Sequence, residues 1–222
     1  MQSKKYQVTL AGETPLLLHH DNIGWADYLS RWQKDPANKK SSVAGDDRSP
    51  AFRWIGNLYV DAGLVCVPSD NLMTMLREGG AKCPTGKRGA TFKRQTQSGL
   101  VVDQAAWAIE VDGATIPYEP FKALIDEKDF AAHEKAAEDH GFMLFVKRAR
   151  VGQNKHIRVR PRFDRWSVAG TITVLDDTIT RDVLENIVTF AGMYAGLGDW
   201  RPSSPKSPGV FGRFTAKVEV VK

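Results

Sequence analysis

The chain has 222 residues, 42% hydrophobic and 26% charged, with a formal charge of +5 at pH 7. That length and balance suit a globular chain able to bury a real core, and no apolar run approaches the ~20 residues that span a bilayer. Two cysteines, Cys66 and Cys83, exclude a disulfide scaffold and a cysteine-built zinc site; they read as buried small hydrophobes in a reducing cytoplasm, and residues 1–6 lead into no signal-like apolar stretch.

Tyr6-Gln7-Val8-Thr9-Leu10 alternates and predicts a first strand, interrupted at Gly12-Glu13-Thr14-Pro15 and resumed at Leu16-Leu17-Leu18. Residues 19–52 read as mostly irregular, with a short helix over 25–32 and a Lys/Ser-rich loop over 39–45. Leu64-Val65-Cys66-Val67 is a short buried strand. A helix follows, with Ser69 as N-cap, Leu72, Met73 and Leu76 on its apolar face, and Gly79-Gly80 as its end. Residues 83–100 are basic and Gly-punctuated, an exposed loop or long hairpin; residues 107–111 form a strand and 126–139 a helix. Residues 142–151 and 157–163 make a hairpin around Gly152-Gln153-Asn154. After a strand over 168–175, Thr180 caps the best helix, in which Leu184, Ile187, Val188, Ala191 and Tyr194 keep a helical period. It ends at Gly196-Leu197-Gly198, a Gly/Pro/Ser-rich loop runs to Gly212, and an alternating strand over 213–221 follows. Strands and helices mingle without the regular alternation of a doubly wound sheet. The expected fold is α+β with antiparallel sheet, ferredoxin-like, as one domain over 1–222 with inserts at about 19–52 and 83–140.

Charge is segregated along the chain. Residues 147–165 hold eight basic side chains against Asp164, a net +7, so the rest sums to −2. Lys82, Lys87, Arg88, Lys93 and Arg94 form a second basic cluster, and residues 103–140 carry ten acids against three lysines. Segregated basic segments favour a polyanion, because each neutralised phosphate releases condensed counterions. Strand alternation puts Arg158, Arg160 and Arg162 on one face of the hairpin and keeps Arg148 and Arg150 together on a face, an arginine-striped ribbon. Of six tryptophans, Trp166 and Trp200 are the picks for stacking on a base or ribose; the others read as core or interface anchors.

The most specific unit lies near the C-terminus. Gly196-Leu197-Gly198-Asp199-Trp200-Arg201-Pro202 leads to Gly209-Val210-Phe211-Gly212-Arg213-Phe214, which opens the last strand. Such glycines let backbone approach a ligand, and N–H groups there can hold phosphate. This loop resembles the glycine-rich loop of the RAMP superfamily of CRISPR-associated proteins. The strand–Pro–Ser–helix segment 64–77 and the turn Thr14-Pro15-Leu16 resemble that family too. Where the family usually has Gly-Ser-Ser-Leu-Lys-Gly, this chain has Ser69-Asp70-Asn71-Leu72-Met73-Thr74. The resemblance covers about half the chain. It implies an RNA-recognition-like core with an inserted hairpin or thumb, closest to the backbone subunits that coat guide RNA as repeated copies in antiviral ribonucleoproteins. The expected partner is single-stranded RNA, or single-stranded DNA, with neighbouring copies and other subunits, and no membrane. Lys87, Arg88, Lys93, Arg94, Arg148, Arg150, Arg158, Arg160 and Arg162 would neutralise phosphates; Gly196, Gly198, Arg201, Gly212 and Arg213 would cradle the backbone while Trp200 stacks.

Catalytic signals are few. His19-His20 matches the neighbourhood of the histidine in metal-independent RAMP endoribonucleases, and histidine titrates near neutrality as such work requires. Asp46-Asp47 resembles a loop whose aspartate cuts RNA in type III backbone subunits, and reads by itself as solvated loop charge. No phosphate-binding Gly-Lys-Ser/Thr loop, nucleophile elbow or dinucleotide fingerprint occurs. Neither a cofactor nor a metal is expected, and binding is favoured over catalysis. The alternatives are an endoribonuclease using His19 or His20, and a phage-encoded assembly or single-strand-binding protein.

Overall fold

Tyr6, Val8 and Leu10 are buried along one side of the first strand, with Gln7 and Thr9 half-covered between them. This alternation sets the centre of an antiparallel sheet in the computed structural model, which describes residues 3–221. In chain order the elements are β1 (Lys4–Gly12), β2 (Leu16–Leu17), α1 (Ile23–Lys34), two 3₁₀ segments (Pro36–Ser41 and Ala51–Asn57), β3 (Val60–Asp61), β4 (Leu64–Pro68), α2 (Ser69–Lys82), α3 (Lys93–Ser98), β5 (Leu100–Val102), β6 (Ala106–Val111) and β7 (Ala114–Thr115). Then come α4 (Glu119–Lys122), α5 (Phe130–Asp139), β8 (Met143–Val151), β9 (Asn154–Phe163), β10 (Ser167–Val174), α6 (Arg181–Phe190), a π-helical turn (Ala191–Ala195) and β11 (Phe214–Val220). The fold is α+β. The chain divides into two compact units. The first holds residues up to Leu17, Cys66–Thr115 and from Asp164 onward; the second holds Leu18–Val65 and Ile116–Phe163.

In the first unit β1 lies between β10 and β11, antiparallel to both, and β10 pairs antiparallel with β5 and β6. With α2 ahead of β5 and α6 between β10 and β11, the connectivity is the βαββαβ of a ferredoxin-like sheet. Thr180 caps α6 as expected, its hydroxyl accepting from the Val183 N–H. Two boundaries differ from the sequence reading. Pro68, not Ser69, is the N-cap of α2, and the helix runs through Gly79-Gly80 to Lys82. Both glycines are buried: a Cβ at Gly79 would meet the Ala191 Cβ at 2.6 Å, and one at Gly80 would run into Thr96. Close packing against neighbours, not helix termination, selects them. Residues 84–91 fold back on themselves, Pro84 opposite Thr91, and α3 follows where only a loop or hairpin was expected. Trp166 is 4% exposed and its Nε1 donates to the Thr14 carbonyl at 2.9 Å. It is a core tryptophan, not a stacking platform. Both cysteines are buried, and burial pushes the Cys83 thiol up.

The second unit is built on an aromatic core. Trp54 and Phe121 meet edge to face at 5.5 Å, and Phe142 stacks on Phe163 at 4.8 Å. Asn22 caps α1, which is longer than the predicted 25–32 helix and sets Trp25, Tyr28 and Trp32 around Phe52. Asp129 caps α5, so that helix starts later than residue 126. β8 and β9 form the predicted hairpin, with Val151 opposite Asn154 across the two-residue turn Gly152-Gln153.

Candidate nucleic-acid interface

Directly opposed residues of an antiparallel pair share a face. In the hairpin Arg158 opposes Lys147, Arg160 opposes Phe145 and Arg162 opposes Met143, while Arg148 opposes Ile157 and Arg150 opposes Lys155. Arg158, Arg160 and Arg162 therefore stand on one face, and Arg148 with Arg150 on the other. The ribbon carries two cationic faces instead of one stripe. Near the turn Lys147, Arg148, Arg150 and Lys155 are exposed, with Arg150 Nε donating to the Gly152 carbonyl at 3.2 Å. Further along, the Arg162 guanidinium lies 5.6 Å from the Phe145 ring centroid.

Arg158 and Arg160 converge on a group the sequence placed in solvent. The Ile157 N–H donates to the Gly45 carbonyl at 2.8 Å and the Asp47 N–H to the Ile157 carbonyl at 3.0 Å, which seats the 45–47 loop against β9. Asp47 is 4% exposed. Its Oδ1 accepts from Arg158 at 3.0 Å and lies 3.3 Å from Arg53; its Oδ2 lies 3.7 Å from Arg160 and accepts from the Val159 N–H at 3.4 Å. The expected solvated loop acid is a buried carboxylate among three arginines. Asp46 instead holds Arg48, at 2.7 Å on Oδ2, and the Arg48 hydrogen bond keeps the Asp46 carboxyl below the usual range. Among the described residues no group of three or more His, Cys, Asp or Glu could hold a metal ion.

Asp47, Arg53, Arg158 and Arg160 line a cleft of about 280 Å³ whose lining also includes His19, His20 and the start of α1 at Asn22 and Trp25. His20 Nδ1 lies 3.2 Å from the Leu58 carbonyl. A carbonyl only accepts, so Nδ1 carries a proton here. The ring stacks on Tyr59 at 4.4 Å; His19 is exposed. Sequence reading missed Arg53, Asn57 and Tyr59 here, because nothing local distinguishes them from other loop residues.

The glycine-rich loop belongs to the first unit. Gly196, Gly198 and Gly212 all have φ between 71° and 76°. The Gly212 N–H donates to Pro15 O at 2.8 Å, the Leu197 N–H to Gly212 O at 2.9 Å, and the Asp199 N–H to Leu17 O at 2.8 Å. The loop is thereby laced to the Thr14–Leu17 turn, joining two of the motif segments read in the sequence. The Gly212 amide is engaged inside this lacing, and the Gly196 N–H donates to the Ala191 carbonyl at 2.9 Å. Trp200, at φ 50°, is half-buried with its ring 6.3 Å from Phe211. Arg201 donates to Ser203 at 3.0 Å and lies 3.6 Å from Glu78 of α2; exposed Arg213 donates to the Met193 carbonyl at 2.9 Å. Lys87 and Arg88 are exposed on the 84–91 loop, and Lys93 and Arg94 in the first turn of α3. The predicted site residues thus fall into two sets, one per unit.

No family model matches the chain, and no curated protein sequence does. Among solved structures, the crystal structure of Cmr6 from Pyrococcus furiosus aligns over 98% of this chain and 100% of that chain, at 9% identity and a TM-score of 0.37. A likeness that distant carries neither residue roles nor activity to this chain. No helix among the described residues is long and apolar enough to cross a membrane.

Proposed function

We propose that this chain is a RAMP-type nucleic-acid-binding module that holds single-stranded RNA by its phosphates, in repeated copies along the strand and beside other subunits. The carrying observation is the turn end of the β8–β9 hairpin. Lys147, Arg148, Arg150 and Lys155 are exposed there, and no acidic residue occurs between 141 and 163. A ribbon with cations on both faces and no internal counter-charge suits a polyanion. Exposed Lys87, Arg88, Lys93 and Arg94 supply a second basic set. The glycine-rich loop serves to present Trp200, Arg201 and Arg213, since the Gly196 and Gly212 amides already have partners. Base identity is read by pairing with the bound strand, not by the protein.

Fluorescence anisotropy with a labelled single-stranded RNA over a salt series tests this. Affinity should fall steeply with salt, and the double variant Arg148→Gln/Arg150→Gln should flatten the log–log slope by about 1.4, about 0.7 per lost phosphate contact. The number of chains bound should grow in proportion to RNA length. Absence of binding at moderate salt sinks the reading and favours an assembly protein whose basic ribbon meets an acidic neighbour. RNA cleavage that disappears in His20→Ala would replace it with the endoribonuclease reading.

A further inference from the structure

We infer that the cleft around Asp47 is a subsite for a terminal phosphate of a nucleic-acid strand. This deepens the RNA-binding reading and concerns residues separate from the turn end of the hairpin.

The cleft has more positive than negative charge. Three arginines line it against two carboxylates, Asp47 and, at the exposed rim, Asp21. Arg53 and Arg158 approach the same oxygen, Asp47 Oδ1, so one carboxylate serves both. A guanidinium has five N–H donors in a rigid fork, and one shared oxygen engages few of them. The Arg53 and Arg158 side chains are 32% and 28% exposed, half-desolvated positions in which a second anion is held strongly. Asp47 positions them: it is buried, tied to the Ile157 carbonyl through its own N–H, and fixes both guanidiniums at the cleft wall. Asn22 and Trp25, at the start of the twelve-residue helix α1, also line the cleft, so the positive end of that helix lies beside it.

Size and directionality select a strand end. At about 280 Å³ the cleft lies just under the roughly 300–1,000 Å³ usual for a whole small ligand, but it accommodates a phosphate group. Its donors come from two elements, the 3₁₀ segment with Arg53 and β9 with Arg158. A terminal phosphate has three free oxygens to meet donors from several directions. An internal phosphodiester has two, and must let the chain leave on both sides.

The test compares affinities of the intact protein for one short single-stranded RNA with hydroxyl ends, with a 5′-phosphate and with a 3′-phosphate. One phosphorylated form should bind about tenfold tighter, the effect of one or two charge-assisted hydrogen bonds. Arg53→Gln should abolish that preference while leaving affinity for the hydroxyl-ended RNA within about twofold, and Arg158→Gln should abolish the preference as well. Equal affinity for all three RNAs overturns the inference while the RNA-binding reading stands. If no RNA binds, calorimetry with adenosine monophosphate and adenosine decides. Binding of the monophosphate alone keeps the subsite while the RNA reading fails, and binding of neither overturns both.

Discussion

His133 sits on the acidic, Ala-rich helix α5, yet it is fully buried. Trp54 Nε1 donates to its Nδ1 at 3.1 Å, so the ring proton lies on Nε2 and is donated to the Glu127 carbonyl, also at 3.1 Å. A second proton would have to enter at Nδ1, where the Trp54 N–H already points. Burial holds the pKa of His133 below its ordinary 6.5, against a smaller upward pull from the Glu127 hydrogen bond. Between the folded and unfolded pKa values the unfolded chain binds the extra proton. The contribution to stability is therefore complete above about pH 6.5 and declines as pH falls below it, by at most about 1.4 kcal/mol per pH unit. Urea denaturation at pH 7.5 and 5.5 should show a larger loss for the wild type than for His133→Gln; equal losses would contradict this. Nothing in the sequence separates this histidine from a solvated one. The same holds for Asp47, whose partners Arg53 and Arg158 come from different segments of the chain.

At the scale of elements, periodicity was a good guide wherever one face is buried. The alternation of β1, the apolar stripe of α6 and the β8–β9 hairpin were all legible, because burial imposes a spacing on the sequence. Glycine was a poorer guide. Gly79-Gly80 looks like a helix stop but lies inside α2, where the neighbour against which the helix packs, not the helix itself, requires it. This sets two effects against each other in Gly79→Ala. Helix propensity favours alanine by about 1 kcal/mol. The added methyl, however, would sit 2.6 Å from both the Ala191 Cβ and the Ile187 carbonyl oxygen, and neither is the end of a flexible side chain. Overpacking of that kind costs about 1–3 kcal/mol, so the net change is destabilising. Thermal denaturation should show a lower midpoint for Gly79→Ala, whereas Lys82→Ala, at the exposed end of the same helix, should shift it little. A midpoint at or above wild type in Gly79→Ala would show that α2 and its neighbour separate freely. The α3 helix escaped sequence reading because six polar and basic residues show no apolar period.

Across the whole molecule, the chain passes between its two units at residues 17–18, 65–66, 115–116 and 163–164. Local patterns identify strands but not this interleaving, and so they also missed the cleft, whose arginines and histidines lie far apart in the sequence. One consequence is that the chain cannot be shortened without damage to the first unit. A version ending at Phe163 lacks β10 and β11, the two strands that flank β1. Limited proteolysis with mass spectrometry should then find residues 3–17 and 66–115 cut rapidly, while the full chain protects them; protection in the shortened chain would contradict this. The position of β1 also matters during synthesis. Tyr6, Val8 and Leu10 emerge from the ribosome early, but their neighbours in residues 167–174 and 214–220 emerge late. At roughly 5–20 residues per second, β1 waits on the order of ten seconds with both edges unpaired. An apolar strand left open for that time can pair with a strand of another nascent chain, so such pairing competes with native folding during translation.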